Sequence, residues 1–288
     1  MAGSGAGHQR NLDTLDVAGN RAGRLARRFR KSALADALKA LIVCSHWEDV
    51  QGYLTCARAE DAGSPLELHV RGVPFPLLCR PGTSDADVLW DTFGRRYHLP
   101  PVSLPQDAVI LDLGANVGYT AIDFAVRYPQ AKIIAVELDD QNVGIAERNL
   151  HVVGDRCTLV RAAVWAETKE VSYGGDSTCG FHVLIAGEVA PSYRRTAAVT
   201  VDDLLSRFSI DRVDYLKMDI EGAEASVLTP GAPWMRVVDV LKVEVHPPAT
   251  LEECHGVLSG QGFAVRRDRH HPASLVAVRS CPELPNLP

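Results

Sequence analysis

Two stretches of this chain place polar residues where chemistry can happen. In the first, Asp112-Leu-Gly114-Ala115-Asn116-Val-Gly118 follows the apolar run 109–113 and opens a helical pattern. Glycines in such a turn let the backbone approach a ligand closely, and the helix start offers free N–H groups and a positive dipole. In the second, Asp219, Glu221 and Glu224 follow the strand-like run 213–218, and His246 ends the run LKVEVH at 241–246. Carboxylates and an imidazole at strand ends can take a proton from a bound molecule or gather a divalent cation.

The glycine turn does not suit a dinucleotide. A pyrophosphate loop wants G-x-G-x-x-G, but Asn116 stands at the second glycine position, the third is missing, and Asp112 would repel phosphate. The same acid suits S-adenosylmethionine, a zwitterion whose ammonium a carboxylate can bind and whose carboxylate the backbone N–H groups can bind. Glu137 ends the next strand-like run, 131–137, where a carboxylate can accept hydrogen bonds from both ribose hydroxyls.

The elements that position these residues alternate. Strands are expected at 109–113, 131–137, 158–164, 213–218 and 237–245, with helices at 117–127, 139–151, 201–208, 221–229 and 250–260. That alternation implies a mostly parallel sheet covered by helices on both faces. The runs 263–268 and 274–280 suit a terminal antiparallel hairpin at the sheet edge. Residues 174–196, rich in glycine and carrying Phe181, Tyr193 and two arginines, read as an insertion that sets specificity or as a plain surface hairpin.

Ahead of the sheet, 1–20 is expected to be a disordered tail, 21–104 a helical extension and cap, and 105–288 the catalytic domain. From Arg21 to Ala40 the pattern is an amphipathic basic helix, with Leu25, Phe29, Leu34, Leu38 and Leu41 near one face. Packing of this helix on the main domain, with its charged face in water, is preferred to contact with a membrane surface or an acidic partner. Residues 65–80 suit a hairpin, and Thr83 or Ser84 can cap a helix through Val88, Leu89 and Phe93.

Bulk properties narrow the partners. With 46% hydrophobic residues, 23% charged, and no secretory or membrane-spanning segment recognised, a cytoplasmic protein is expected. Seven cysteines at irregular spacing read as reduced thiols. A net charge of −6 offers nucleic-acid phosphates no general attraction, so a small-molecule acceptor is expected, without stable membrane insertion and with pairing of two copies left open.

The segments RPGTSDADV (80–88), ILDLGANVGYT (110–120), VDYLKMDIEGAE (213–224) and VEVH (243–246) together resemble the FkbM-type methyltransferases over about residues 70–280. The resemblance implies a Rossmann-like class I methyltransferase fold, with a seven-stranded, mostly parallel sheet whose last strand is antiparallel. It also implies O-methylation of a natural-product or sugar hydroxyl, with methylation of nitrogen, a peptide or a nucleic acid as the alternatives. The expected catalytic residues are Asp219, Glu221 and His246. The expected cofactor residues are Asp112, Gly114, Ala115, Asn116, Gly118, Glu137, Leu138, Ala163 and Asp219, with Thr83, Ser84 and Asp85 closing over the site. Glu224 is expected on a helix surface, and Lys217 in packing or a local ion pair. A divalent cation on Asp219, Glu244 and His246 is a less favoured alternative.

Overall fold

The computed structural model describes residues 33–175, 177–184 and 193–279. The expected tail 1–20 and the Arg-rich first half of the basic helix lie outside them. The chain enters through helices α1 (Ala33–Val43) and α2 (Trp47–Arg58). An antiparallel hairpin of β1 (Leu66–His69) and β2 (Pro76–Cys79) follows, then α3 (Asp85–Leu89), prolonged by a π-helical turn, Trp90–Arg95. The sequence reading contained the hairpin and α3 but not α2. The inward positions of α2, Asp49, Val50, Tyr53, Cys56 and Ala57, mix an acid, a thiol and an alanine into the stripe that would otherwise announce a helix.

Helix α1 packs the opposite way from expectation. It buries Asp36, Ala40 and Val43 and exposes Leu34, Leu38 and Leu41. Small Ala40 allows close approach, and the Arg58 guanidinium lies 3.8 Å from the Asp36 carboxylate.

Strand β3 (Val109–Leu113), α4 (Tyr119–Arg127), β4 (Lys132–Glu137), α5 (Asp140–Leu150) and β5 (Cys157–Arg161) then alternate. Next come β6 (Ala163–Val164), β7 (Lys169–Gly174), β8 (His182–Val183) and β9 (Arg194–Val199), which pair with one another in the order β6-β9-β7-β8. The expected strand 158–164 is therefore broken at Ala162, one half in each sheet. The insertion is a small sheet rather than an isolated hairpin. Helix α6 (Val201–Arg207), β10 (Tyr215–Met218), α7 (Glu224–Val227), β11 (Val240–Glu244), α8 (Leu251–Gly260), β12 (Phe263–Arg267) and β13 (Ser274–Arg279) complete the described chain.

The main sheet has seven strands in the order β12-β13-β11-β10-β3-β4-β5. Strands β5, β4, β3, β10 and β11 are parallel, and β13 runs antiparallel between β11 and β12. This is a Rossmann-like α/β sheet of seven strands with an antiparallel last strand. One core joins α1, α2, the β1–β2 hairpin and α4 to one face; a second covers the other face with α6 and α8. Strands covered on both faces read as near-continuous apolar runs, as VILDL and IIAVE do. The charged residues inside them share a row, since Lys217 stands opposite Asp112 on one side and Lys242 on the other.

Among the described residues six cysteines are free thiols, and no helix is long and apolar enough to cross a membrane.

Candidate active site

Over the C-terminal ends of β3, β4, β10 and β11 lies a cleft of about 1060 Å³, its solvent mouth included. Ligands bind at that edge in open α/β sheets. One end is lined by Gly114, Ala115, Asn116, Glu137, Leu138 and Ala163, and the other by Lys217, Asp219, Glu221 and Glu244.

At the first end the backbone sets the shape. Gly114, Asn116 and Gly118 all have positive φ, at 82°, 51° and 85°. A side chain at Gly114 would place its Cβ 1.7 Å from the Asp219 carbonyl oxygen, so β3 and β10 meet closely only because glycine is there. The buried Glu137 carboxylate accepts from the backbone N–H groups of Asn116 and Asp139, both at 2.9 Å, and from Asn142 Nδ2 at 3.3 Å. Burial nevertheless pushes its carboxyl above the usual range. Asn116 Oδ1 is buried with no hydrogen-bond partner in the protein, an acceptor left for something else to satisfy.

Several expected cofactor residues stand behind this surface. Asp112 is fully buried, accepts from the Thr120 hydroxyl, and lies 3.3 Å from Lys217 Nζ. A carboxylate so deep in the sheet needs a fixed cation, and its neighbour in register supplies it. Lys217 also donates to the Gly114 carbonyl at 2.9 Å. Asp85 is fully buried in a bidentate pair with Arg80 (2.9 and 2.8 Å), and Arg80 in turn holds Asn142 Oδ1 at 2.7 Å. Thr83 donates to the Arg80 carbonyl and accepts from the Asp85 N–H. The Ser84 side chain makes no helix cap; its hydroxyl meets Thr178 Oγ1 at 2.6 Å. The loop 80–85 therefore braces Asn142 and Thr178, which do line the cleft. Gly118 closes the turn by donating to the Ala115 carbonyl at 2.9 Å.

At the second end four carboxylates surround one imidazole. His246 Nε2 lies 3.5 Å from Glu244, 3.6 Å from Glu221 and 3.9 Å from Asp219, while Nδ1 is 3.0 Å from Glu224 Oε1. Glu224 is fully buried, contrary to the surface position expected of it, and accepts from the N–H groups of Ile220 and Gly222. Those bonds hold a turn in which Glu221 and Gly222 both have positive φ, which is why no helix starts before Glu224. Burial opposes charge on His246, but the bonds to Glu224 and Glu244 and the charges of Asp219 and Glu221 raise it to about 11. The surrounding acids thus favour the imidazolium form of His246. Burial, aided by the Asp219 charge, lifts Glu221 to about 7. Burial also raises Asp219, against the pull of Lys217 3.6 Å away.

Donor atoms of Asp219, Glu221 and His246 lie within 4.8 Å of one another. The closest cation-type grouping at this end therefore takes Glu221 in place of the Glu244 expected in the metal alternative.

Tyr97 and His271, not anticipated from the sequence, complete the walls together with Phe181 of the insertion. Tyr97 follows the π-helical turn, and its hydroxyl donates to Asp219 Oδ2 at 3.4 Å. His271 stands 3.6 Å from Glu244. From the small sheet Phe181 reaches the cleft, set edge-on to Tyr173 at 6.0 Å with the Arg194 guanidinium 5.5 Å over its ring. Tyr193 is exposed and outside the lining. Periodicity finds strands, but it does not say which residue of a connecting segment folds back over them; the aromatic at 181 was the one visible signal.

The family model described as the methyltransferase FkbM domain matches residues 112–268. Methyltransferase sdnD of Sordaria araneosa is 29% identical over 202 residues, covering 58% of this chain and 78% of that protein. Methyltransferase 1 of Beauveria bassiana is 27% identical over 188 residues, covering 57% and 76%. Among solved structures, the methyltransferase FkbM of Methylobacillus flagellatus aligns with a TM-score of 0.45 at 14% identity, over 85% of this chain and 58% of that one.

Proposed function

We propose that this chain, which belongs to the FkbM methyltransferase family, transfers a methyl group from S-adenosylmethionine to a hydroxyl of a small molecule such as a natural product or sugar. The observation that carries the reading is one continuous cleft with a glycine turn at one end and a carboxylate–imidazolium cluster at the other.

The residues present fit the cofactor. Its ammonium or a hydroxyl would be the donor that the orphaned Asn116 Oδ1 lacks. Glu137 Oε1 is taken by the Asp139 N–H and Asn142, and Oε2, bonded to the Asn116 N–H, keeps room to accept from a ribose hydroxyl. Leu138, Ala163 and Phe181 give an apolar wall for the base. When bound, S-adenosylmethionine supplies a sulfonium methyl group, whose carbon–sulfur bond breaks as the new bond to the acceptor oxygen forms.

The chain's own residues then manage the proton. Asp219 Oδ2 is occupied by Lys217 and Tyr97, which leaves Oδ1 to accept the acceptor's hydroxyl proton. His246, held cationic by Glu224, keeps the Asp219 and Glu221 carboxylates turned toward one point. Tyr97 and Phe181 line the cleft, and a concave, walled site favours a small acceptor over a duplex or a folded protein.

The test is to incubate the purified protein with methyl-labelled S-adenosylmethionine and a panel of hydroxylated and amino compounds, locating the label by mass spectrometry. Label on oxygen of a small molecule is expected, falling roughly 100-fold or more in Asp219→Asn, the scale of a lost general base. Label on nitrogen or on a macromolecule, or cofactor binding with no transfer at all, overturns the reading.

A further inference from the structure

We infer that His46, Asp49 and His69 form a binding site for one divalent transition-metal ion of the zinc class, outside the cleft. None of the three lines the cleft. His46 is the residue before α2, Asp49 lies in its first turn, and His69 ends β1. His46 Nδ1 is 3.0 Å from Asp49 Oδ2 and His69 Nδ1 is 3.3 Å from Asp49 Oδ1. The two rings are 5.3 Å apart and nearly perpendicular, at 80°. The three donor atoms lie within 4.8 Å of one another. Ligand bonds of about 2.0–2.2 Å in a tetrahedron put donor atoms roughly 3.3–3.6 Å apart, so small side-chain rotations close the site.

The framework beneath is fixed. Gly52 lets α2 lie directly on β1: a Cβ there would come 2.6 Å from Leu68 Cδ2. Backbone bonds from Ser45 N–H to the His69 carbonyl and from Arg71 N–H to the Val43 carbonyl, both 2.8 Å, knit the α1–α2 junction to the end of β1. The Asp49 carboxylate is buried and oriented by the His69 backbone N–H at 3.0 Å, the kind of outer support that fixes metal ligands. The His46 and His69 side chains are 65% and 50% exposed, so an ion can enter and keep water at its remaining position. Two imidazoles and one carboxylate suit zinc, cobalt, nickel or copper, whereas magnesium and calcium prefer oxygen alone. Bound there, the ion ties the start of α2 to the end of β1 within the N-terminal layer.

The test is calorimetric titration of the untagged, chelator-stripped full chain with Zn²⁺, alongside the visible absorption of its Co²⁺ form. One equivalent is expected to bind the wild type and to raise its Tm. His46→Ala and His69→Ala should each weaken binding at least roughly tenfold, the lower end of what losing even a supporting group costs. Both should abolish the Tm rise and leave methyl transfer unchanged. Asp219→Asn with Glu221→Gln should keep this equivalent, which separates it from the acids of the cleft. Equal stoichiometry and affinity in the His46→Ala, His69→Ala double variant, or a wild-type Kd no tighter than ~1 mM, overturns the inference.

Discussion

At the Gly114 turn the carboxylate facing the cleft is matched by fixed donors, Glu137 by two backbone N–H groups and Asn142. At the Asp219 end four carboxylates share one imidazole, and burial raises two of them, Asp219 and Glu221, above the ordinary range. The first region is defined by geometry, the second by an unequal balance of charge in a low-dielectric pocket. A site of the first kind suits binding one rigid cofactor. A site of the second kind changes its protonation when something enters, which is what removing a proton from an acceptor requires.

The two regions meet most tightly where Gly114 passes the Asp219 carbonyl, and breaking that contact gives the largest expected effect. Gly114→Ala places a side chain at φ +82° and against the Asp219 carbonyl. Left-handed strain costs ~1–2 kcal/mol and overpacking ~1–3 kcal/mol, so a loss of about 2–5 kcal/mol is expected. Urea unfolding should show it, and cofactor binding should vanish with it. Retained cofactor affinity would mean that β3 and β10 can part without disturbing the turn, and the contrast between a rigid end and a charged end would fail.

Glu137→Gln probes the rigid end alone. The amide keeps the size but removes the charge and turns one acceptor oxygen into a donor, so the Oε2 that a ribose hydroxyl would share with the Asn116 N–H loses either its charge or its acceptor role. A charge-assisted hydrogen bond is worth about 1.5–3 kcal/mol, so the cofactor Kd should rise roughly ten- to hundredfold while kcat at saturation changes little. Calorimetry with S-adenosylmethionine checks the first and steady-state rates the second. An unchanged Kd would assign Glu137 to holding the turn and nothing more.

How much of this was legible in the sequence follows from the same contrast. The glycine turn shows in sequence because φ and close approach demand particular residues, and Gly114, Asn116 and Glu137 stand where the spacing put them. Asp112 was legible as an acid at a strand end but not as a buried one, since its partner Lys217 is set by strand order, which joins β3 to β10 across about a hundred residues. Glu224 was misjudged for a related reason: six residues past a strand it resembles any helix-surface acid, and only the reversed backbone at Glu221 and Gly222 turns it inward. Tyr97 and His271 carry no local signal, because they arrive from the π-helical turn and from the β12–β13 connection.

The smallest effect expected is at Glu221, and it sharpens the account of the charged end. Burial and the Asp219 charge hold this carboxyl at about 7 against an ordinary 4.5, so the folded chain binds that proton more tightly than the unfolded chain does. Stability must then fall as pH rises from the ordinary value through 7. Glu221→Gln removes that cost, and at pH 8 the variant should unfold at higher urea than wild type by about 1 kcal/mol, a modest gain because the side chain is 30% exposed. At pH 4, where both forms are neutral, the two should unfold together. Removing the same charge makes Asp219 easier to ionise and a weaker base, so the acid limb of the rate profile should move to lower pH while the maximal rate drops a few-fold. A stability gap that is the same at pH 4 and pH 8 would show that Glu221 is not a strained carboxylate, and Asp219 would then be the one carboxyl of the four that burial raises.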